Sequence, residues 1–254
     1  MKLTLLGTGD AGHIPVYGCD CKACLTAKED PSFKRGKTSA VVEIGSKQLL
    51  IDGNAPDLLQ RFPPGSLDAI WLTHYHMDHV QSLFDLRWGV GESILVYGPD
   101  DPNGCDDLFK HPGILAFQTP LRPFFPIEFE GISITPVPLA HSKVSLGYVF
   151  ETTRGGVVKR LAYLTDTRGL PEETLHWLIE NPVDLILIDC AFPPGDNWRN
   201  HNDVVLAKSL FNKIQPDAMG LIHIGHKLAC WAMDNPDYFN DHFFLARDGQ
   251  EFLL

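Results

Sequence analysis

The sequence holds no uninterrupted apolar run of the roughly 18 residues that a membrane span requires, so no transmembrane helix and no membrane partner are expected. Basic residues are scarce: 21 Lys and Arg stand against 32 Asp and Glu, a formal net charge of −11. That balance argues against a protein that holds long nucleic acid, because such binding neutralises phosphates with clustered Lys and Arg. A small anionic substrate stays open if metal ions supply the positive charge. The opening MKLTLLGTGD meets Gly and Asp before any apolar stretch of signal-peptide length, and a cytoplasmic location is expected. Cysteine is sparse too. In a reducing compartment the six present imply metal binding or core packing rather than disulfides. Fixed-period repeats, low-complexity tracts and linkers are absent, and with 44% hydrophobic content residues 1–254 read as a single domain with a sizeable core.

What is present is a series of short strand-like runs, at residues 2–6, 40–44, 48–52, 69–72, 94–97, 132–137, 148–152, 160–165, 184–189 and 219–222. The second and third, separated by Gly45 and Ser46, read as a hairpin. Helices are expected at 57–61, 80–88, 172–180 behind Pro171, and 204–213, and surface loops over the Gly/Pro-punctuated stretch up to Pro123. Strands arrive in a cluster, alternate with helices and recur, which suits an α/β sandwich of sheets flanked by helices.

The segment Thr73-His74-Tyr75-His76-Met77-Asp78-His79 directly follows a strand-like run and packs four metal-binding side chains into six positions. Alternate residues of a loop can turn towards one point, so His74 and His76 can hold one metal while Asp78 and His79 hold a second. Two divalent ions about 4 Å apart bind a bridging hydroxide at neutral pH and clamp the attacking and leaving oxygens of a phosphoryl centre. The loop alone supplies too few ligands. His141, Asp166 and His223 each sit just past a strand-like run, where rigid sites are built, although such a residue taken singly is more often a structural polar residue than a ligand. Asp166, with two carboxylate oxygens, suits a bridge between cations.

Cys19-Asp20-Cys21-Lys22-Ala23-Cys24 is a C-x-C-x-x-C array, compact enough to wrap one tetrahedral zinc with a fourth ligand from elsewhere. His226 is the attractive fourth ligand, since it lies three positions past His223 and one short segment could then feed both sites. The structural zinc loop would fall within residues 13–36. Cys105, Cys190 and Cys230 read as ordinary core or loop residues.

An H-x-H-x-D-H cluster followed by isolated His, Asp and His at this spacing resembles the metallo-β-lactamase superfamily over nearly the whole chain. The resemblance implies an αββα sandwich with two central sheets flanked by helices. It also implies one catalytic metal at His74, His76, His141 and Asp166 and the other at Asp78, His79, Asp166 and His223. Asp52, in Leu50-Ile51-Asp52-Gly53, would be the carboxylate that orients a ligand histidine.

Longer runs, LTHYHMDHVQ at 72–81, LRWGVG at 86–91, YGP at 97–99 and GCDDLFKHPG at 104–113, resemble the PhnP-type phosphodiesterases of the bacterial carbon-phosphorus lyase pathway. That resemblance implies hydrolysis of a small cyclic phosphodiester, 5-phosphoribosyl 1,2-cyclic phosphate, to ribose 1,5-bisphosphate in phosphonate catabolism. It implies two catalytic Mn2+ or Zn2+ ions, one structural Zn2+ and a homodimer, for which the apolar stretches around Phe124 and Phe243 are the candidate surface. His201 would join Asp78 as a catalytic residue by protonating the leaving oxygen; the plainer reading makes it a loop residue ahead of a helix capped by Asn202 or Asp203. Lys143, Arg87 and Arg199 are candidates to hold the ribose or the second phosphate, and His13 has no assigned role. The alternatives are a tRNase Z-like or PqqB-like member of the same superfamily, and a metal-binding scaffold without turnover. The acidic charge and the lack of a basic arm weigh against the first.

Overall fold

The computed structural model describes residues 1–196 and 199–254. One sheet contains β1 (Lys2–Gly7), β2 (Ser39–Ile44), β3 (Lys47–Ile51), β4 (Ala69–Trp71), β5 (Ile94–Tyr97) and β6 (Leu115–Phe117), with the C-terminal β14 (Glu251–Leu253) on the outer edge of β1. The other contains β7 (Ile127–Phe129), β8 (Ile132–Pro138), β9 (Leu146–Arg154), β10 (Val157–Leu164), β11 (Leu185–Asp189), β12 (Ala218–Ile222) and β13 (Phe243–Leu245) in sequential order. Each sheet opens as an antiparallel meander and then turns parallel, from β3 onward in the first and from β10 onward in the second. Parallel strands bring their carboxyl ends to one edge, the edge at which open α/β sheets hold ligands.

The period-2 alternation of the strands sorts their side chains into separate core layers. In β10 and β11, Leu161, Tyr163 and Leu187 face inward and meet Leu3, Leu5, Trp71, Tyr148 and Phe150 between the sheets. Their neighbours Ala162, Leu164, Ile186 and Ile188 face outward, under the helices Glu172–Glu180, Val204–Ile214 and His226–Asp234. Each large side chain taken wholly out of water contributes about 1.5–3 kcal/mol before chain entropy is counted. The helix Val204–Ile214 starts where Asp203 accepts the Leu206 N–H at 2.8 Å, so of the two caps the sequence offered, Asn202 and Asp203, it is Asp203 that serves.

Departures from the sequence expectations have local causes. The helix expected at 80–88 is two single turns, Met77–Val80 and Leu83–Leu86. Gly53 interrupts it, donating to the His79 carbonyl at 2.7 Å and accepting from the Ser82 N–H at 2.8 Å, which ties this segment to the end of β3. The stretch before Pro123 holds the short helix Asp106–Lys110 and β6, and the cysteine loop runs into the helix Lys22–Glu29 at Lys22. Phe243 is completely buried beneath the outer helices, which removes it from any dimer surface. Among the described residues, no helix is long and apolar enough to cross a membrane.

Candidate metal centre

The carboxyl ends of five strands, together with the loop after β4, converge on one cleft. Asp52 follows β3, His141 lies just past β8, Asp166 just past β10, Asp189 ends β11 and His223 follows β12. Asp52, Asp166 and His223 share a left-handed backbone, with φ of 61°, 57° and 57°. That conformation costs a non-glycine residue about 1 kcal/mol or more and turns each side chain out of its strand into the cleft.

The donors fall into two sets. His74 Nε2 lies 2.9 Å and His141 Nε2 3.0 Å from His76 Nδ1, and Asp166 Oδ1 lies 4.0 Å from His74 Nε2 and 3.7 Å from His141 Nε2. On the other side His79 Nε2 lies 3.5 Å from Asp78 Oδ2 and 3.1 Å from Asp166 Oδ2, and His223 Nε2 lies 3.4 Å from Asp166 Oδ1. Ligands held about 2.1 Å from one ion stand roughly 3–3.5 Å from each other, so both sets are spaced for a metal. His223 carries the test of fit. It is 3% exposed, and neither ring nitrogen has a hydrogen-bond partner among the described residues, which a buried imidazole without a metal would not tolerate cheaply. All seven residues that the superfamily resemblance marked as catalytic ligands are thus brought together.

Asp52 organises two of them from below. Its fully buried carboxylate accepts from His79 Nδ1 at 2.7 Å and from the Thr73 N–H and hydroxyl at 2.8 Å each. The Thr73 oxygen in turn lies 3.1 Å from His74 Nδ1. Both imidazoles are therefore held with Nδ1 protonated, which leaves the Nε2 lone pairs for metal. Burial raises the pKa of Asp52, and the His79 charge and the bonds from His79 and Thr73 pull against it.

Asp189 carries a role that the sequence did not reveal. Fully buried, it accepts from His201 Nδ1 at 2.6 Å and from the Thr167 N–H at 2.9 Å. Burial alone would lower the pKa of His201, but the Asp189 carboxylate outweighs it and lifts the imidazole to about 9. The His201 ring stacks on His223 with centroids 4.6 Å apart and stands 5.4 Å from His141. A cavity of about 360 Å³ opens beside it, lined by Arg168, Asp196, His201 and Ser209 among others. The signal for Asp189 was its place at the end of a strand, the criterion that had found Asp166.

Of the three basic candidates, Arg87 is 9% exposed and committed to the Asp107 carboxylate at 2.7 Å and to two backbone carbonyls, so it belongs to the scaffold rather than to a substrate. Lys143 lies 3.5 Å from Asp101 Oδ2, and Arg199 and His13 are exposed.

The second cluster is separate. His226 Nδ1 lies 3.3, 3.5 and 3.9 Å from the sulfurs of Cys19, Cys21 and Cys24, in a small core with Ile14 and Ala27. Burial pushes the Cys21 thiol up, yet the Cys24 N–H and the neighbouring His226, Cys230 and Cys19 bring it down to about 6. Burial raises Cys24 to about 12.

The model of the β-lactamase superfamily domain matches residues 47–224, from β3 to just past His223. The chain belongs to the metallo-β-lactamase superfamily. Within it, the chain is similar over its whole length, at 27% identity, to an octanoyltransferase of Porphyromonas gingivalis, covering 52% of that protein. It is also 27% identical, over 65% of its length and 64% of the relative's, to the coenzyme PQQ synthesis protein B of Methylobacterium radiotolerans. The chain thus spans about half to two thirds of the length of these relatives. Among solved structures, a diphosphatase from the PhnP family superposes with a TM-score of 0.81 at 25% identity, covering 99% of this chain and 96% of that one. Zn(2+)-bound PqqB from Methylobacterium extorquens gives 0.76 at 19% over the whole of both chains, and human tRNase Z, short form, 0.67 at 16% over 100% and 99%. The latter two likenesses show a shared fold.

Proposed function

We propose that this superfamily member is a binuclear metal-dependent phosphodiesterase acting on a small cyclic phosphodiester, with 5-phosphoribosyl 1,2-cyclic phosphate, hydrolysed to ribose 1,5-bisphosphate, as the substrate to test first. The observation that carries the reading is the pairing of two metal-spaced donor sets across Asp166 with a further imidazole, His201, that Asp189 holds at 2.6 Å and that lies outside the seven ligands of the two sets. Likeness to a PhnP-family diphosphatase supports it, and the net charge of −11 weighs against an RNA substrate.

His74, His76, His141 and Asp166 would hold one cation, and Asp78, His79, Asp166 and His223 the other. Two divalent cations there supply Lewis acidity that activates water and neutralises the phosphoryl group. Asp52 keeps His74 and His79 in the ligating tautomer. With Nδ1 tied to Asp189, His201 presents Nε2 and can give its proton to the departing sugar oxygen. The cleft walls exclude bulk water around these groups, since Asp166, His79 and His223 are each at most 3% exposed. Cys19, Cys21, Cys24 and His226 would hold a structural zinc that pins the N-terminal loop to the last third of the chain.

A PqqB-like role is the second reading, favoured by the sequence likeness to coenzyme PQQ synthesis protein B. Metal analysis, with hydrolysis of bis(p-nitrophenyl) phosphate and of the cyclic ribosyl phosphate by Mn2+- and Zn2+-loaded protein, separates the readings. Turnover that chelation abolishes is expected. Fully loaded protein inert towards both esters would refute the phosphodiesterase reading and leave a PqqB-like or scaffold role.

A further inference from the structure

The cysteine–histidine cluster contains one donor more than a tetrahedral zinc can use. Cys230 lies four residues after His226 on the helix His226–Asp234, so the two side chains share a face of that helix. That face packs on the helix Lys22–Glu29, which begins one residue after Cys21 and carries Cys24. The Cys230 sulfur accepts the N–H of Ala23, between Cys21 and Cys24, at 3.3 Å, which puts it against the backbone of the ligand loop. Cys230 thus sits among the ligands rather than in the general core where its sequence context placed it.

Each of the other four donors is within 4.8 Å of all the rest, a complete shell of three cysteines and one histidine. A fifth sulfur beside the loop that carries Cys21 and Cys24, and on the same helix face as His226, is placed for exchange: an ion held by the three loop thiolates could trade the imidazole for this thiolate. Zinc accepts an all-cysteine shell and one with a single histidine alike, in the same tetrahedral form. We propose that Cys230 is a reserve ligand of the structural zinc site, able to replace His226 and so keep the metal bound as a four-cysteine centre. The inference rests on the reading that Cys19, Cys21, Cys24 and His226 hold zinc.

The full-length chain tests it, loaded with zinc for stoichiometry and with Co2+ for visible and near-ultraviolet absorption. Wild type and Cys230→Ser should both hold the structural ion with a three-thiolate, one-imidazole spectrum. His226→Ala should keep about one structural ion per chain, with the cobalt bands moved to longer wavelength and the thiolate charge-transfer absorption increased. His226→Ala/Cys230→Ser should lose that ion and unfold at lower temperature than either single variant. If His226→Ala loses the ion as completely as the double variant, or keeps it with an unshifted spectrum, the reserve role of Cys230 is overturned while the zinc site stands. Should the triple variant Cys19→Ser/Cys21→Ser/Cys24→Ser, which one reserve thiolate cannot rescue, lose no metal relative to wild type, the zinc reading itself fails. The two failures are therefore distinguishable.

Discussion

Replacing Asp52 by Asn tests how far the metal pair depends on a residue that touches no metal. The substitution conserves shape, and asparagine tolerates the left-handed backbone that Asp52 adopts at φ 61°. What changes is the bonding. The carboxylate accepts from His79 on one oxygen and from the Thr73 N–H on the other, with the Thr73 hydroxyl within reach of both. An amide has one acceptor oxygen, so its NH2 must face either the His79 Nδ1–H or the Thr73 N–H. If it faces His79, that ring is driven to the tautomer that puts a proton on Nε2, the atom aimed at Asp78 and Asp166. If it faces Thr73, the hydroxyl that orients His74 is released. Either arrangement forfeits a charge-assisted bond worth about 1.5–3 kcal/mol. At roughly 1.4 kcal/mol per tenfold, that is a 10- to 100-fold loss of affinity at one catalytic metal. The assay is competitive metal titration of apoprotein against a chromophoric chelator, with thermal unfolding of the apoprotein as the control for folding. Two catalytic ions bound at wild-type affinity in Asp52→Asn would refute the orienting role.

Other expectations follow from the same geometry. Asp78→Ala should reduce the catalytic stoichiometry from two ions to one and bring turnover to background, read by metal analysis beside the phosphodiesterase assay; full activity would overturn the ligand set. His201→Ala should slow hydrolysis of a sugar ester by about 10²–10⁴-fold, yet barely affect an ester whose p-nitrophenolate leaves without a proton. An equal loss on both substrates would make His201 a binding residue instead. Gly225→Ala would place a methyl 2.6 Å from the Ala191 carbonyl and 2.9 Å from Asp10, an overpacking that costs about 1–3 kcal/mol and should show as a lowered unfolding temperature.

The seven residues that converge on the cleft were legible because metal binding needs rare residue types and leaves them at strand ends. Four lie within six consecutive residues, and His141, Asp166 and His223 each follow a readable strand. Asp189 and Cys230 were not, since their meaning lies in contacts across the chain: Asp189 with His201, and Cys230 with Ala23 over a separation that no local pattern encodes. The longer strands showed their alternation, whereas β6, β7, β13 and β14, at three residues each, are shorter than the period needs to declare itself; β4, equally short, was read from its apolar run leading into the His cluster. The broken helix at 77–86 was hidden for a different reason. Its apolar spacing is helical, and the interruption comes from Gly53, more than twenty residues earlier.

Only Ile224 and Gly225 separate His223, in the catalytic cleft, from His226, in the cysteine cluster, and Asp10 fastens this bridge by donating its N–H to the Ile224 carbonyl at 3.2 Å. On the proposed reading, ions at the two ends of so short a span would not bind independently. An ion at the cysteine cluster would place His223 before a catalytic metal arrived, and by thermodynamic reciprocity a filled catalytic pair would then strengthen the hold on the distant zinc by the same factor. The protein would then be loaded and stripped as a unit, so that a chelator able to reach the exposed rim of the cysteine loop would weaken the active centre without entering it.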